Sequence, residues 1–474
     1  MPKEAINDLA ERLRRMWIRF SGCFKTKTHD KSGYAWIYLL GVLLMDTKRN
    51  FANIARRVIG PQDDGQGVQQ FISDSPWDAQ AVFDQIQHEI RQRPELHGGM
   101  LTLDESGDER AGDQSAGAAR QYIGRLGKVE LGQVGVAVGY HQEGTWALVD
   151  AELYLPKEWF DEAHAQLRKQ LHVPPERTFA SKLQMGLELL RHAKANGVPL
   201  RIVGCDSVYG RDSQFRAALE AEKVLYIAET PSNTLIYLQQ PVLGVPDTPP
   251  EHKGRPFSRV QVTNAVAPIA VRDLLTRSDL SLQPVGVRHT ERGLLTYECA
   301  ARRVWTITPD HTVREEWLFI RRESDGAFTF SFSNAPADTP LQQLAQWRSE
   351  RYFAERTFQD AKSEAGWDEL VARKYRAWKH HTALDALALW FIAETKLDWA
   401  RAHPRDPALA QQLEVAVLPA LSMANVREML QAVMPLKQLS PEQATQVVVK
   451  HLVHRSQSTR SRLKKQRLAQ KGET

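Results

Sequence analysis

The sequence predicts an α/β protein, and three observations along the 474-residue chain carry this prediction. First, apolar stretches of strand length, bounded by glycine or polar residues, recur from residue 100 onward. Second, a helical stretch over residues 158–196 separates the early strands from the later ones. Third, the chain reads as helical before residue 95 and from Pro340 almost to its end. Strands interleaved with helices in this order are typical of a sheet covered by helices.

The individual strands are predicted from apolar runs and from the alternation of apolar and polar residues. We expect them at Met100–Asp104, Gln133–Gly139, Thr145–Leu155, Pro199–Asp206, Val224–Ala228, Arg302–Thr308, Glu316–Arg321 and Ala327–Phe332. Short helices are expected near the start of the chain, at Trp36–Met45 and Phe51–Val58.

Changes of composition divide the chain into five predicted regions. Residues 1–97 form a helical domain, for which DNA binding and a plain helical cap are equally good interpretations. Residues 98–232 and 316–400 form the two parts of the α/β core, the second with a helix that carries Glu355. Residues 233–315, rich in Pro, Gly and β-branched residues, form a β-rich insertion, and the strands near its end could belong to either unit. Residues 401–474 form a helical C-terminal region with a basic tail.

Composition narrows the class of protein. Hydrophobic residues make up 42% of the chain, which is typical of a folded protein with a substantial core. The three cysteines are far apart and form no Cys-x-x-Cys pair, so neither a disulfide framework nor a structural zinc site is expected. No apolar run reaches the roughly 20 residues of a membrane span, and the N-terminus lacks the plan of a signal peptide. We therefore expect a cytoplasmic protein of bacterial type with no membrane partner.

Positive charge is concentrated at the two ends of the chain, although the net charge is only +5. Residues 1–60 contain twelve Lys or Arg against five Asp or Glu, and residues 450–474 contain eight against one. Basic ends on a nearly neutral body indicate a polyanionic partner such as a nucleic acid, and greater solubility is the alternative interpretation. Composition alone does not decide between the two.

Two predicted strands end in an acidic residue. Asp104 follows the apolar run that begins at Met100, and Asp206 follows the run that begins at Pro199. The carboxyl ends of strands are where open α/β sheets place their ligand sites. Because side chains alternate along a strand, Asp104 and Glu105 are expected on opposite faces, so only one of them can point into a shared site.

A helix in the second part of the core supplies a third acid. Charged and aromatic residues recur there at spacings of three and four, which places them on one stripe: Arg348, Arg351, Glu355, Phe358 and Lys362. A solvated face with charge pairs at four-residue separations is the alternative interpretation. The two acid-tipped strands that precede this helix favour a shared site instead.

Three converging carboxylates suit phosphoryl transfer. In that chemistry the attacking oxygen must be activated and the leaving oxygen neutralised, and two metal ions about 3.5–4 Å apart do both. Magnesium prefers oxygen ligands, so three carboxylates suffice when one of them bridges the pair. Arg351 and Lys362 would flank such ions and hold the phosphates of the strand that is cut.

These motifs resemble those of the bacterial insertion-sequence transposases of the DDE type, and in particular the group numbered seven hundred and one within the insertion-sequence-four superfamily. The resemblance runs from about residue 30 to residue 465. The matching stretches in the first part of the core are Asp104–Gly107, Arg120–Gly124, Leu126–Lys128, Gln133–Val136, and Asp206 with Tyr209 and Gly210. The spacing is also similar, with 102 positions from Asp104 to Asp206 and 149 from there to Glu355, the longer gap holding the β-rich insertion.

The superfamily's signature on the third segment is Tyr, two residues, Arg, three residues, Glu, six residues, Lys. Arg351, Glu355 and Lys362 match its last three positions, whereas Arg348 stands where the family has Tyr. The turn after the first Asp, which is rich in Lys in the family, is acidic here, with Asp108 and Glu109. The role of the first signature position therefore stays open.

The resemblance implies a ribonuclease-H-like core in which Asp104, Asp206 and Glu355 are catalytic and bind two Mg²⁺ ions, with Mn²⁺ as an alternative. It implies cut-and-paste transposition: strand cleavage, a possible hairpin stage at the transposon end, and joining to target DNA. It further implies double-stranded DNA as partner, a homodimer at synapsis, and a place at the nucleoid. The expected DNA contacts are the first 60 residues and Arg351, Lys362, Arg348, Arg120, Lys128, Tyr209, Arg460, Arg462, Lys464 and Lys465.

Two tryptophans in and after the insertion, Trp305 and Trp317, are candidates for stacking on a distorted base, although a core role is the better interpretation for each. His381 is expected to be a packed helix residue. Three alternatives to a transposase remain: a nuclease that does not join strands, a catalytically inactive or domesticated protein that binds DNA ends, and a ribonuclease that acts on RNA–DNA hybrids.

Overall fold

The structure is a computed structural model, which describes residues 2–142, 144–248, 251, 255, 257–415, 417–418, 420–436 and 440–470. The N-terminal region is helical, as expected, and its helices are α1 (Lys3–Asn7), α2 (Leu9–Phe20), α3 (Ser32–Leu44), α4 (Phe51–Val58), α5 (Gln66–Ser73) and α6 (Ala79–Arg91). Side-chain caps begin two of them, because Asn50 accepts a hydrogen bond from the backbone of Asn53 and Asp78 accepts one from Gln80.

The first part of the core alternates strands and helices. Its elements are β1 (Gly99–Glu109), β2 (Ala119–Ile123), β3 (Lys128–Gln142), β4 (Thr145–Leu153), α7 (Ala165–Gln170), α8 (Lys182–Ala195), β5 (Leu200–Cys205), α9 (Ser207–Gly210), α10 (Ser213–Ala221) and β6 (Leu225–Thr230). The expected helix over residues 158–196 is wrong in its middle, where residues 171–181 are irregular. Pro174 and Pro175 interrupt it there because proline lacks the backbone donor that a helix needs. Ser181 then starts α8 with a reciprocal capping box to Gln184.

The middle of the chain is built from strands. Four of them are only two residues long: β7 (Leu235–Ile236), β8 (Leu243–Gly244), β9 (Gln261–Val262) and β10 (Ile269–Ala270). The longer ones are β11 (Gln283–Thr290), β12 (Gly293–Ile307), β13 (Val313–Arg322) and β14 (Phe328–Ser333). Strands β2 and β11 were not expected from the sequence, and β12 begins nine residues before the predicted start at Arg302.

Ten of the strands form one mixed sheet, in the order β11-β12-β13-β14-β6-β5-β1-β3-β2, with β4 paired to β3. The short strands pair separately, β7 with β10 and β8 with β9. Strand β5 runs parallel to both β1 and β6, while β3 runs antiparallel to β1. Strands β11, β12 and β13 continue the same sheet through β14, which pairs antiparallel with β6. Helices cover this sheet, so the predicted α/β class is confirmed.

The last part of the chain is helical, with α11 (Leu341–Glu350), α12 (Tyr352–Ala365), α13 (Tyr375–Ala402), α14 (Pro407–Gln412), α15 (Met423–Val433) and α16 (Pro441–Gln470). Helix α13 is buried over most of its 28 residues and packs against β4, α6 and α3, which joins the N-terminal helices to the sheet. His381 on this helix is buried and bonded to Tyr38 and to the backbone of Trp367, so it is the packed residue that was expected. Among the described helices, none is both long and apolar enough to span a membrane.

Candidate active site

Asp104 and Asp206 lie at the same edge of the sheet. Strands β1 and β5 run parallel as far as the pair Leu103–Cys205. Asp104 directly follows Leu103, and Asp206 directly follows Cys205. Asp206 ends β5 and caps α9 by accepting a hydrogen bond of 3.0 Å from the backbone of Val208. The expectation that a strand also ends at Asp104 is wrong, because β1 continues to Glu109 through its pairing with β3.

The next residue on β1, Glu105, points away from this edge. Its carboxylate forms an ion pair with Lys182 of α8, which packs on the other face of the sheet. Asp104 instead faces the junction of α11 and α12, where Arg351 lies. The alternation expected for these two neighbours is therefore what the structure shows, and only Asp104 shares a site with Asp206.

The predicted helical stripe lies on two consecutive helices, not on one. Arg348 belongs to α11, Arg351 stands between the helices, and Glu355 and Lys362 belong to α12. The side chain of Glu355 is 66% exposed, on the solvent side of the site. The stripe still faces the sheet edge that carries the two Asp residues, since Arg351 is an ion-pair partner of Asp104.

The guanidinium of Arg351 stands among three carboxylates. Its Nη2 lies 4.0 Å from an oxygen of Asp104, its Nη1 lies 3.6 Å from Glu355, and its Nε lies 3.8 Å from Glu229. Glu229 is on β6, the strand next to β5, and also accepts a hydrogen bond of 3.0 Å from Arg348. Arg348, in the place of the signature Tyr, is thus the buried partner of a fourth acid.

Sequence reasoning missed Glu229, although the signal that pointed to Asp206 was present there too. The predicted strand Val224–Ala228 is followed directly by this acid. An acid just after a buried strand is the same pattern at the neighbouring position of the sheet.

Electrostatics distinguish the acids of the site. Burial is the main reason that the pKa of Asp104 is raised to about 7, and the charge of Asp206 raises it further while Arg351 lowers it. Burial also raises the pKa of Asp206, again against the opposing effect of Arg351. The charge of Asp206 disfavours ionisation of Asp104, and the nearby guanidinium of Arg351 favours ionisation of both carboxylates.

The residues at this edge suit a hard divalent cation by their donor type, because all of them are carboxylates. In the conformation described, however, they surround the guanidinium of Arg351 instead of a common point. Across the described residues, no three His, Cys, Asp or Glu side chains are close enough together to hold a metal ion. The cluster therefore fits a metal only if the guanidinium shifts.

Lys362, the last residue of the signature, pairs with Asp108. Its Nζ lies 2.9 Å from an oxygen of that carboxylate, and both side chains are largely buried. Asp108 is one of the acidic residues found where related sequences have a Lys-rich turn. The acidic turn and the signature lysine thus neutralise each other in this chain.

The other basic residues predicted to contact DNA lie on the surface. Arg120 on β2 and Lys128 on β3 flank Glu130, at 4.0 Å and 3.2 Å, and both side chains are more than half exposed. Arg460, Arg462 and Lys464 are exposed on α16. The side chain of Lys465, on the same helix, lies outside the described residues.

Tyr209 does not lie where DNA could reach it. Its ring is fully buried beside Phe215, with the ring centroids 5.5 Å apart. The side chain packs behind Asp206. Its ring lies so close to Gly186 of α8 that a side chain at Gly186 would crowd it. The structure therefore gives Tyr209 a packing role instead of the predicted contact with DNA.

A cavity of about 980 Å³ opens beside Glu355, between the helical stripe and the β11–β12 hairpin. Its walls carry two tyrosines, Tyr297 and Tyr352, which the sequence analysis did not single out. Trp305 and Trp317 are not among its lining residues, and the indole of Trp317 donates a hydrogen bond of 2.9 Å to the backbone of Pro336. The basic side chains of the cavity are Arg288, Arg292, Arg321, Arg348 and Arg351.

Comparison with known proteins shows the family of this chain. The model of the DDE superfamily endonucleases matches residues 19–294, more than half of the chain. A protein of Microchaete diplosiphon described as a probable transposase for insertion sequence element IS701 is 25% identical over 358 residues, which are 73% of this chain and 78% of the relative. The chain belongs to the DDE superfamily endonucleases. Its resemblance to the insertion-sequence DDE transposases, inferred above from motifs, is confirmed.

Proposed function

We propose that this protein is a cut-and-paste DNA transposase whose catalytic residues are Asp104, Asp206 and Glu355. The observation that carries the proposal is the meeting of separate acids around one cationic group at the carboxyl ends of parallel strands. Arg351 contacts Asp104 and Glu355 directly, and its charge acts on Asp206 as well. The relative described as a transposase supports the same reaction class.

The sheet supports a ribonuclease-H-like arrangement of the core. Strands β4, β3 and β1 follow one another in antiparallel pairing, and β5 and β6 then add parallel to β1 and to each other. The acids on β1 and after β5 thus lie on neighbouring central strands. The third acid comes from a helix that packs against β1 and β3, beyond the insertion.

In the proposed mechanism Asp104, Asp206 and Glu355 would hold divalent cations, Mg²⁺ or Mn²⁺, whose chemistry would be activation of the attacking oxygen and neutralisation of the leaving oxygen of the phosphodiester. Asp104 must be deprotonated to take part. Burial raises its pKa to about 7, and the charge of Arg351 favours the ionised form. Arg351 and Lys362 are placed to bind phosphate oxygens once they leave their carboxylate partners.

Cleavage of the element's own DNA end tests the proposal. Purified protein is incubated with a labelled duplex carrying that end, in Mg²⁺ or in EDTA, and the products are resolved on denaturing gels. We expect metal-dependent nicking, followed by a hairpin at the cleaved end or by direct joining to target DNA. Binding without scission, in Mg²⁺ and also in Mn²⁺, would instead support an inactive protein that recognises DNA ends.

We further propose that the basic surfaces at the two ends of the chain bind DNA, and that two copies meet when two transposon ends are paired. The exposed basic residues of α16 support this, since they lie on a 30-residue helix that projects few side chains into the core. Such a protein acts where genomic DNA lies, which places it in the bacterial cytoplasm at the nucleoid.

The salt dependence of DNA binding should report on α16. Replacing Arg460, Arg462 and Lys464 with Gln is expected to lower the slope of log K against log salt by about 2.7, because each phosphate contact contributes about 0.9. Fluorescence anisotropy with a labelled transposon end at several salt concentrations measures this slope. The same change at three exposed lysines of the core, Lys157, Lys169 and Lys223, should leave the slope unaltered. An equal slope for both variants would contradict DNA binding by α16.

A further inference from the structure

The position of Arg351 has a consequence for metal binding. The two atoms at the tip of its guanidinium, Nη1 and Nη2, face Glu355 and Asp104, whereas Nε, nearer the backbone, faces Glu229. The three separations lie between 3.6 and 4.0 Å, longer than good hydrogen bonds. Charge thus holds the guanidinium in the cluster more than directional bonds do, so the tip can move at low cost.

Glu229 is held more firmly. It accepts a hydrogen bond of 3.0 Å from Arg348, whose side chain is only 8% exposed. Its own strand is fixed on both sides, since β6 pairs with β5 and, at Glu229 itself, with Ser331 of β14. The carboxylate is therefore a fixed point at the rim of the site, already in contact with the inner part of the Arg351 side chain.

We propose that Arg351 is the resident counter-cation of the acidic cluster, and that Glu229, held by Arg348, is the positioning residue that receives its guanidinium when a divalent cation enters. This inference rests on the proposed metal site of Asp104, Asp206 and Glu355. The guanidinium and the divalent cation compete for the same carboxylates of Asp104 and Glu355. A small rotation about the outer bonds of Arg351 frees those carboxylates while the contact of Nε with Glu229 is kept.

The competition has a definite sign. A positive charge within about 4 Å of a ligand carboxylate repels an incoming cation and also occupies the oxygens that it needs. Removing this charge should therefore tighten metal binding, even though the same side chain is expected to help bind DNA. Removing Glu229 should weaken metal binding, because the acids that remain around the guanidinium, Asp104, Asp206 and Glu355, are the proposed metal ligands themselves.

Mn²⁺ binding to the full-length protein without DNA measures this effect, by titration calorimetry or by the electron paramagnetic resonance signal of free Mn²⁺. We expect Arg351→Met to bind Mn²⁺ about tenfold more tightly than the wild type or better. Met keeps the apolar stem that packs in this buried position. Arg356→Met is the matched control, because Arg356 lies on α12, which follows Arg351, and pairs with Asp360, away from the cluster. The Mn²⁺ affinity of this variant should equal that of the wild type.

A double-mutant cycle separates the role of Glu229 from a merely structural one. Glu229→Gln should weaken Mn²⁺ binding in the wild-type background. The loss should be about threefold smaller when Arg351 is already Met, because Glu229 then has no Arg351 guanidinium to hold. Thermal melting of each variant checks that the fold is intact. Equal effects of Glu229→Gln in the two backgrounds would overturn the positioning role.

The outcomes distinguish this inference from the proposed function. If the wild type binds Mn²⁺ and Asp104→Asn abolishes that binding, yet Arg351→Met leaves it unchanged or weaker, the metal site stands and the counter-cation is overturned. If neither the wild type nor Arg351→Met binds Mn²⁺ through Asp104, both are overturned. Tight binding by Arg351→Met with weaker binding by the wild type supports both.

Discussion

Replacing Glu355 with Gln is expected to abolish cleavage of the transposon end, with a loss of about 10³-fold or more in rate. A metal ion supplies several kcal/mol of transition-state stabilisation, and each 1.4 kcal/mol is a factor of ten. The substitution removes the charge of the one acid in the proposed site that comes from a helix, and it leaves the shape of the side chain nearly unchanged. Single-turnover cleavage of a labelled end in Mg²⁺ measures the loss.

The exposure of Glu355 makes this variant informative. Its side chain is 66% exposed and contacts Arg351 at 3.6 Å, so the change should leave folding and end binding intact. Glu350→Gln is the matched control, because Glu350 lies on the preceding helix and pairs with Arg201, outside the cluster. Cleavage by Glu355→Gln at the rate of the control would contradict its role as a metal ligand and favour a plain charged helix face.

The second large effect concerns stability. Replacing Glu316 with Ala is expected to lower the free energy of unfolding by about 3–5 kcal/mol, the usual cost of leaving a buried charge without its partner. Glu316 on β13 is fully buried and bonded to Arg216 of α10 through both oxygens, at 2.8 and 3.1 Å. Tyr226 of β6 and Thr306 of β12 also donate hydrogen bonds to it. This network links the insertion strands to β6, the strand that carries Glu229.

Denaturant unfolding followed by circular dichroism measures this effect. Glu315→Ala is the control, since Glu315 is the exposed neighbour of Glu316 and forms an ion pair with Arg303. A loss for Glu316→Ala no larger than that of the control would show that the network does not join the two units. Arg216→Met in the Glu316→Met background should recover much of the lost stability, because buried ion pairs can be replaced by apolar side chains of similar size.

The same carboxylate predicts a pH dependence. Burial raises the pKa of Glu316, but Arg216, Arg314 and the hydrogen bond from Thr306 outweigh it and lower the pKa to about 2. Because the folded-state pKa lies below the ordinary value of 4.5, the stability that Glu316 contributes is present above pH 4.5 and is lost as the pH falls through 2. The difference in stability between wild type and Glu316→Gln should therefore shrink between pH 5 and pH 2. A constant difference would contradict the lowered pKa.

Local patterns were enough to single out Asp206 and Glu355, but Glu229 was missed. Asp206 could be placed because an apolar strand leads directly into it, and Glu355 because helical spacing aligns it with Arg351. The parallel pairing of β1 and β5 brings the two Asp residues to one edge, although three strands and two α-helices lie between β1 and β5 in the chain. The prediction failed at the end of β1, because the continued pairing with β3 depends on a partner strand that lies far along the sequence.

Features that depend on packing could not be read from the sequence. Strand β11 was missed because Pro284 and Gly286 interrupt its alternation of apolar and polar residues. Its extended conformation depends on antiparallel pairing with β12. Tyr209 matched a family motif, but its burial depends on the gap that Gly186 leaves on α8. The contacts of Arg348 and Lys362 with Glu229 and Asp108 explain two departures from the family signature, and each joins residues more than 100 positions apart.

The most direct test of the metal site is to map which parts of the chain lie beside the bound ion. Fe²⁺ is supplied in place of Mg²⁺ to the protein bound to its transposon end, and ascorbate with peroxide then generates hydroxyl radicals that cut the backbone near the iron. We expect three sets of cuts, near Asp104, Asp206 and Glu355, all suppressed by excess Mg²⁺ and reduced by Asp104→Asn. Cuts confined to other segments, or cuts that persist in Asp104→Asn, would contradict a metal site built from these three acids.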